Sequence, residues 1–152
     1  MTEAASARAA STIVMSDSAQ WNVRLAIDAF AAIEPEIGQF LSRVGVEGEA
    51  AYTSQLVVEE IVRNLIEHTP PYATDEMVDV AIAVTAQRVT VVIEDRRPPF
   101  DPSNAPPLDV DAPLERRQPG GMGLHLVRTM ADELTYETGS DGNRLTAIIS
   151  RR

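Results

Sequence analysis

Two short runs constrain the fold of this chain more than any other feature. "MVDVAIAV" (77–84) and "RVTVVIED" (88–95) are rich in β-branched residues and are separated only by Thr85-Ala86-Gln87. A link that short joins antiparallel strands, because a parallel partner needs a crossover of roughly a dozen residues or more. The end of the chain repeats the arrangement: "ELTYET" (133–138) and "RLTAIIS" (144–150) flank "GSDGN", a strong turn signal. Near the start, "TIVM" (12–15) is a short β-like run, and "WNVRLAI" (21–27) alternates as a first sheet strand should.

Helical periodicity fills the spaces between these strands. From Phe30 to Val44, the residues Ile33, Ile37, Phe40, Leu41 and Val44 form one apolar stripe. Pro35 lies within that stretch, so its first turn is expected to start late. Gly45 and Gly48 break the pattern, and a longer helix follows from Glu49 to His68, closed by Thr69-Pro70-Pro71. A third helix leads from "GGMGLHLV" to about Asp132. The proline-rich stretch from Arg96 to Gln118 reads as a loop or lid, with Phe100 packing beneath it. Helices and strands do not alternate one for one, which argues against a doubly wound parallel sheet. The expected fold is a two-layer α/β sandwich with a mixed, mostly antiparallel sheet and the helices on one face.

Composition narrows the functions available. The 152 residues suit one domain over 12–152, preceded by a small, polar, disordered leader over 1–11 that lacks an apolar signal core. With 23 acidic against 13 basic residues the net charge is -10, which disfavours sequence-independent binding to nucleic acid. Without cysteine, disulfides and thiolate metal sites are excluded, and two histidines do not make a His-rich metal site. No run reaches the ~20 apolar residues of a membrane span, so the chain is read as cytoplasmic, with no membrane contact.

Three groups of residues carry chemistry. In "LVVEEIVRNLIEH" (56–68), Val58, Ile61, Val62, Leu65 and Ile66 form a core stripe, and Glu59, Arg63 and Glu67 an exposed ion-pairing one. Glu60, Asn64 and His68 form a third, on the border of the apolar face. They either continue the solvated side or line a pocket rim. Asn is a mediocre mid-helix residue, and its amide oxygen is a hard ligand suited to a hydrated Mg²⁺; Glu60, one turn earlier, could accept a proton. His68 suits a helix C-terminal cap, and His125 suits packing or surface.

The second group is the strand end at Glu94-Asp95, where Asp95 either starts a turn or accepts a hydrogen bond from an amine on a planar ligand. The third is Gly120, Gly121 and Gly123, opening directly onto Leu124, Leu126, Val127 and Met130. Glycine allows close backbone approach, and a helix N-terminus offers unpaired N–H groups to phosphate; the alternative is a flexible loop before a core helix.

In their order, Glu60-x-x-x-Asn64, Asp95 with "PPFDP", "GGMGLHLV" and "GNRLT" resemble the GHKL-type ATPases. More narrowly they resemble the small anti-sigma-factor serine-protein kinases of the RsbW/SpoIIAB-like group, over roughly residues 20–150. The resemblance implies Glu60 as general base, Asn64 as Mg²⁺ ligand, and Asp95 as acceptor for the adenine amine. It further implies Thr146 as a supporting contact through water, and Gly121 and Gly123 as the phosphate cradle. ATP and Mg²⁺ are the implied cofactors. The implied partners are an anti-anti-sigma factor, a STAS-type protein phosphorylated on serine, and a sigma factor or equivalent target that is sequestered. Homodimerisation through the sheet is common in the family. Arg116 and Arg117 in the lid either reach the phosphates or are solvated lid charges. One position departs from the family's Asp-x-Gly: the third residue here is Arg97, in "DRRPPF". The alternative it raises is a kinase-inactive, partner-sequestering module.

Overall fold

A computed structural model describes residues 10–15, 17–67, 76–97 and 121–151. In chain order these form strands β1 (Ala10–Met15) and β2 (Ser18–Arg24), then helices α1 (Ala29–Arg43) and α2 (Gly48–Glu67). The hairpin of β3 (Met77–Val84) and β4 (Arg88–Asp95) follows, then α3 (Gly121–Met130), β5 (Glu133–Gly139) and β6 (Gly142–Ser150). The six strands form one sheet in the order β1-β2-β3-β4-β6-β5, and every pairing among them is antiparallel. The two-layer α/β sandwich is as expected. The sheet is more uniform than the mixed one anticipated, because β5, which runs parallel to β4 after the α3 crossover, is separated from it by β6, so no parallel neighbours meet.

Alternation decides which side of each strand is buried. Trp21 and Val23 on β2, Val78, Val80 and Ile82 on β3, Val89, Val91 and Ile93 on β4, and Leu145, Ala147 and Ile149 on β6 are all buried. Against this face pack Ile33, Ile37, Phe40 and Leu41 of α1, and Val57, Val58, Ile61, Val62 and Leu65 of α2. Each such side chain withdraws enough apolar surface for about 1.5–3 kcal/mol. Trp21 meets the edge of Phe40 at 6.2 Å between ring centroids, with the planes at 77°. Arg43 lies over the same Phe40 ring, 5.8 Å from its centroid.

Several boundaries moved for identifiable reasons. The first long strand runs over Ser18–Arg24, and Ile27, assigned to it from sequence, is 96% exposed beyond its end. β1 begins at Ala10, two residues inside the stretch read as a leader. Pro35 does not delay α1, which starts at Ala29 and runs through it. Pro35 and Ala31, whose carbonyl loses its usual donor, are both exposed, so water can replace that bond. α1 ends where Gly45 takes φ 78°, with the Val46 N–H donating to the Leu41 carbonyl at 2.8 Å, and Val46 is buried beneath the turn. The readings of His68, Phe100, Gly120, the lid, Arg116 and Arg117 lie outside the described residues. No helix among the described residues is long and apolar enough to cross a membrane.

Candidate functional site

α2 is buried on more of its circumference than its sequence suggests, and this decides the reading of its polar stripe. Glu60 is 6% exposed and Asn64 7%, so neither belongs to the solvated side. Arg63, on the outer surface, bridges two carboxylates: its Nη2 donates to Glu59 at 2.7 Å and its Nη1 to Glu60 Oε1 at 2.9 Å. Burial raises the Glu60 pKa above the ordinary carboxylate value of 4.5; Arg63 opposes that shift, while Glu59 and Glu67 add to it. An ionised carboxylate whose pKa is raised is a stronger base than one in water. Asn64 Nδ2 donates to the Glu60 carbonyl at 2.8 Å, which fixes the amide plane against the helix. An amide oxygen and a carboxylate one helical turn apart are both hard donors, and that chemistry fits a Mg²⁺ ion that keeps most of its waters.

At the end of β4, Asp95 occupies the helix-facing parity shared by Val89, Val91 and Ile93 and is 9% exposed. Its Oδ1 accepts two hydrogen bonds, from the Arg97 N–H at 2.8 Å and from Asn143 Nδ2 at 3.0 Å. Among the described residues this leaves Oδ2 to meet a ligand. Asn143, 5% exposed, is the register partner of Asp95 across β4 and β6. Its Nδ2 also donates to the Arg97 carbonyl at 2.6 Å, and its Oδ1 accepts from the Thr138 hydroxyl at 2.8 Å.

The preceding Gly142 lies in the left-handed region at φ 123°, and a Cβ there would stand 2.3 Å from the Asp95 carbonyl oxygen. The β5–β6 hairpin is thus clamped onto the strand end that presents the carboxylate. Gly121 and Gly123 fall in the first turn of α3, whose Leu124 and Val127 are buried in the core. Among the described residues no group of three or more His, Asp or Glu side chains is arranged to hold a metal.

Thr146 does not join this cluster. It pairs with Val92 on β4 and Thr135 on β5, at the parity of Arg144, on the face of the sheet turned away from the helices. The β6 residue beside Asp95 is Asn143. The signal was in the strand itself: Leu145, Ala147 and Ile149 must face inward, so Asn143 does and Thr146 does not.

Arg97 is the other residue whose position sequence could not supply. It is 9% exposed, and its Nη1 donates to the carbonyl of Leu65, next to Asn64 on α2. The side chain therefore spans from the end of β4 to the last turns of α2. Among the described residues, the cleft that reaches Asp95 opens toward Glu94, Arg144 and the β5–β6 hairpin, and neither Glu60 nor Asn64 lines it.

An antiparallel sheet backed by helices, with a buried Glu-Asn pair on one helix and a clamped Asp at a strand end, defines a class. Residues 23–149 match the histidine kinase-like ATPase domain, and the chain belongs to that ATP-binding family. Within it the chain is similar to serine-protein kinases. It is 27% identical over 95 residues to the serine/threonine-protein kinase BtrW of Bordetella bronchiseptica, covering 62% of this chain and 67% of that one. To the serine-protein kinase RsbW of Staphylococcus aureus it is 23% identical over 124 residues, 78% of each chain. Among solved structures, the RsbU and RsbW domains of Rv1364c from Mycobacterium tuberculosis superpose with a TM-score of 0.56 at 19% identity over 88% of this chain. The match spans 33% of that chain and bears on the fold alone.

Proposed function

We propose that this chain is an ATP-dependent serine-protein kinase of the RsbW type, which phosphorylates a STAS-type anti-anti-sigma partner and sequesters a sigma factor or equivalent target. The observation that carries the reading is the Glu60-Asn64 pair: two polar residues one turn apart, both buried on α2, with the Glu60 carboxyl raised toward a working base. Glu60 would take the proton of the attacking serine hydroxyl as its oxygen bonds the γ-phosphorus and ADP leaves. Asn64 would hold Mg²⁺ through its amide oxygen, Asp95 Oδ2 would accept the adenine amine, and the backbone N–H groups at Gly121 and Gly123 would face the phosphates. Bound Mg²⁺ supplies neutralisation of the phosphate charge.

Radiolabelled γ-phosphate transfer from ATP to a panel of STAS-domain proteins of the same organism tests the proposal. Label on a partner serine that Glu60→Gln removes, with ATP binding retained, supports it; transfer unchanged in Glu60→Gln rejects Glu60 as base.

A second reading is favoured by one specific observation, the buried Arg97 where the family carries glycine. On that reading the fold is kept for sequestering a partner, and the same assay shows no label on any partner and no free phosphate.

A further inference from the structure

Resting on the ATP-site reading, we infer that Arg97 is the residue that sets nucleotide affinity and base discrimination at this site. A planar ligand whose amine reaches Asp95 Oδ2, and whose phosphates reach Asn64, has to pass between the end of β4 and the last two turns of α2. The Arg97 side chain runs through that gap. Its backbone N–H is fixed by Asp95 Oδ1, its carbonyl by Asn143 Nδ2, and its guanidinium by the Leu65 carbonyl. Anchored at three points and 9% exposed, it is part of the packing and not a surface side chain.

For a base to bind, the guanidinium must leave the Leu65 carbonyl. That exchange lowers affinity for the base while leaving the phosphate contacts untouched. The unmodified chain then binds ATP little better than inorganic tripolyphosphate and distinguishes ATP from GTP weakly.

Calorimetric titration of the full chain with Mg²⁺-ATP, Mg²⁺-GTP and Mg²⁺-tripolyphosphate, for the unmodified protein and Arg97→Gly, tests this. Arg97→Gly should bind ATP roughly ten- to hundredfold more tightly, the weight of one hydrogen bond to a charged group, with no matching gain for tripolyphosphate or GTP. Arg97→Ala is the second variant, used if circular dichroism shows that the glycine substitution unfolds the turn. Equal ATP affinity in variant and parent overturns the role of Arg97 and leaves the ATP site standing. An equal gain for tripolyphosphate overturns it too, because the effect is then not at the base. Weaker ATP binding in the variant makes Arg97 a nucleotide contact and also overturns it. Absence of ATP binding in both folded proteins overturns this inference together with the ATP-site reading.

Discussion

Asn143 joins the hairpin, the Asp95 carboxylate and the Arg97 turn, and its removal has a calculable cost. Asn143→Ala deletes a bond of 3.0 Å to Asp95 Oδ1, one of 2.6 Å to the Arg97 carbonyl, and one of 2.8 Å from Thr138. Hydrogen bonds to a charged group contribute about 1.5–3 kcal/mol and neutral ones about 0.5–1.5. Thr138 is exposed, so its hydroxyl turns to water and adds little. The Asp95 and Arg97 acceptors are buried; each loses the Asn143 donor, while Asp95 Oδ1 keeps the Arg97 N–H. The expected destabilisation is about 2–4 kcal/mol, a fall in Tm of roughly 4–16 °C for a chain of this size. Urea denaturation at pH 7, followed by circular dichroism, measures it, with the m-value unchanged if only stability has altered. A loss below about 0.5 kcal/mol, the range of ordinary surface substitutions, refutes the reasoning. Thr146→Ala, on the opposite sheet face, is the matched control and should fall within that range.

Three further outcomes follow from single residues. Gly142→Ala places a Cβ 2.3 Å from the Asp95 carbonyl at a φ of 123°, so it should destabilise by about 3 kcal/mol or more, read as a fall in urea midpoint. Glu60 has a raised pKa, so its contribution to folding is largest below the ordinary value of 4.5 and is lost as pH rises through its folded-state pKa. Glu60→Gln should therefore gain stability relative to the parent between pH 4 and pH 7; a Tm difference that is flat or falls with pH contradicts this. Trp21 is fully buried, and among the described residues its Nε1 has no hydrogen-bond partner. Trp21→Phe should thus cost less than about 1.5 kcal/mol in denaturant titrations where Trp21→Ala costs about 3–5.

Period-2 alternation made the β3–β4 hairpin legible to the residue, since both strands have one face on the core and a three-residue link permits one pairing. The α2 stripe was readable as spacing but not as burial. Whether Glu60 and Asn64 meet solvent depends on how far the sheet and α3 wrap the helix, which local sequence does not encode. Asn143 lies inside the turn signal "GSDGN", which masks its place on the strand, although inward parity from Leu145 and Ala147 points to it. The burial of Arg97 rests on contact with Leu65, 32 residues earlier, and on Asn143, 46 residues later; only the folded chain shows it. An arginine just past a strand is ordinarily solvated, and here the gap between β4 and α2 takes Arg97 in.

The central claim is that α2 and the end of β4 form a Mg²⁺-dependent ATP site. The most direct test titrates the folded protein with ATP, with and without Mg²⁺, by calorimetry, beside Asn64→Ala. Binding that requires Mg²⁺ and disappears in a folded Asn64→Ala variant is the predicted result, however weak Arg97 makes it. Equal ATP affinity in parent and Asn64→Ala would contradict the assignment.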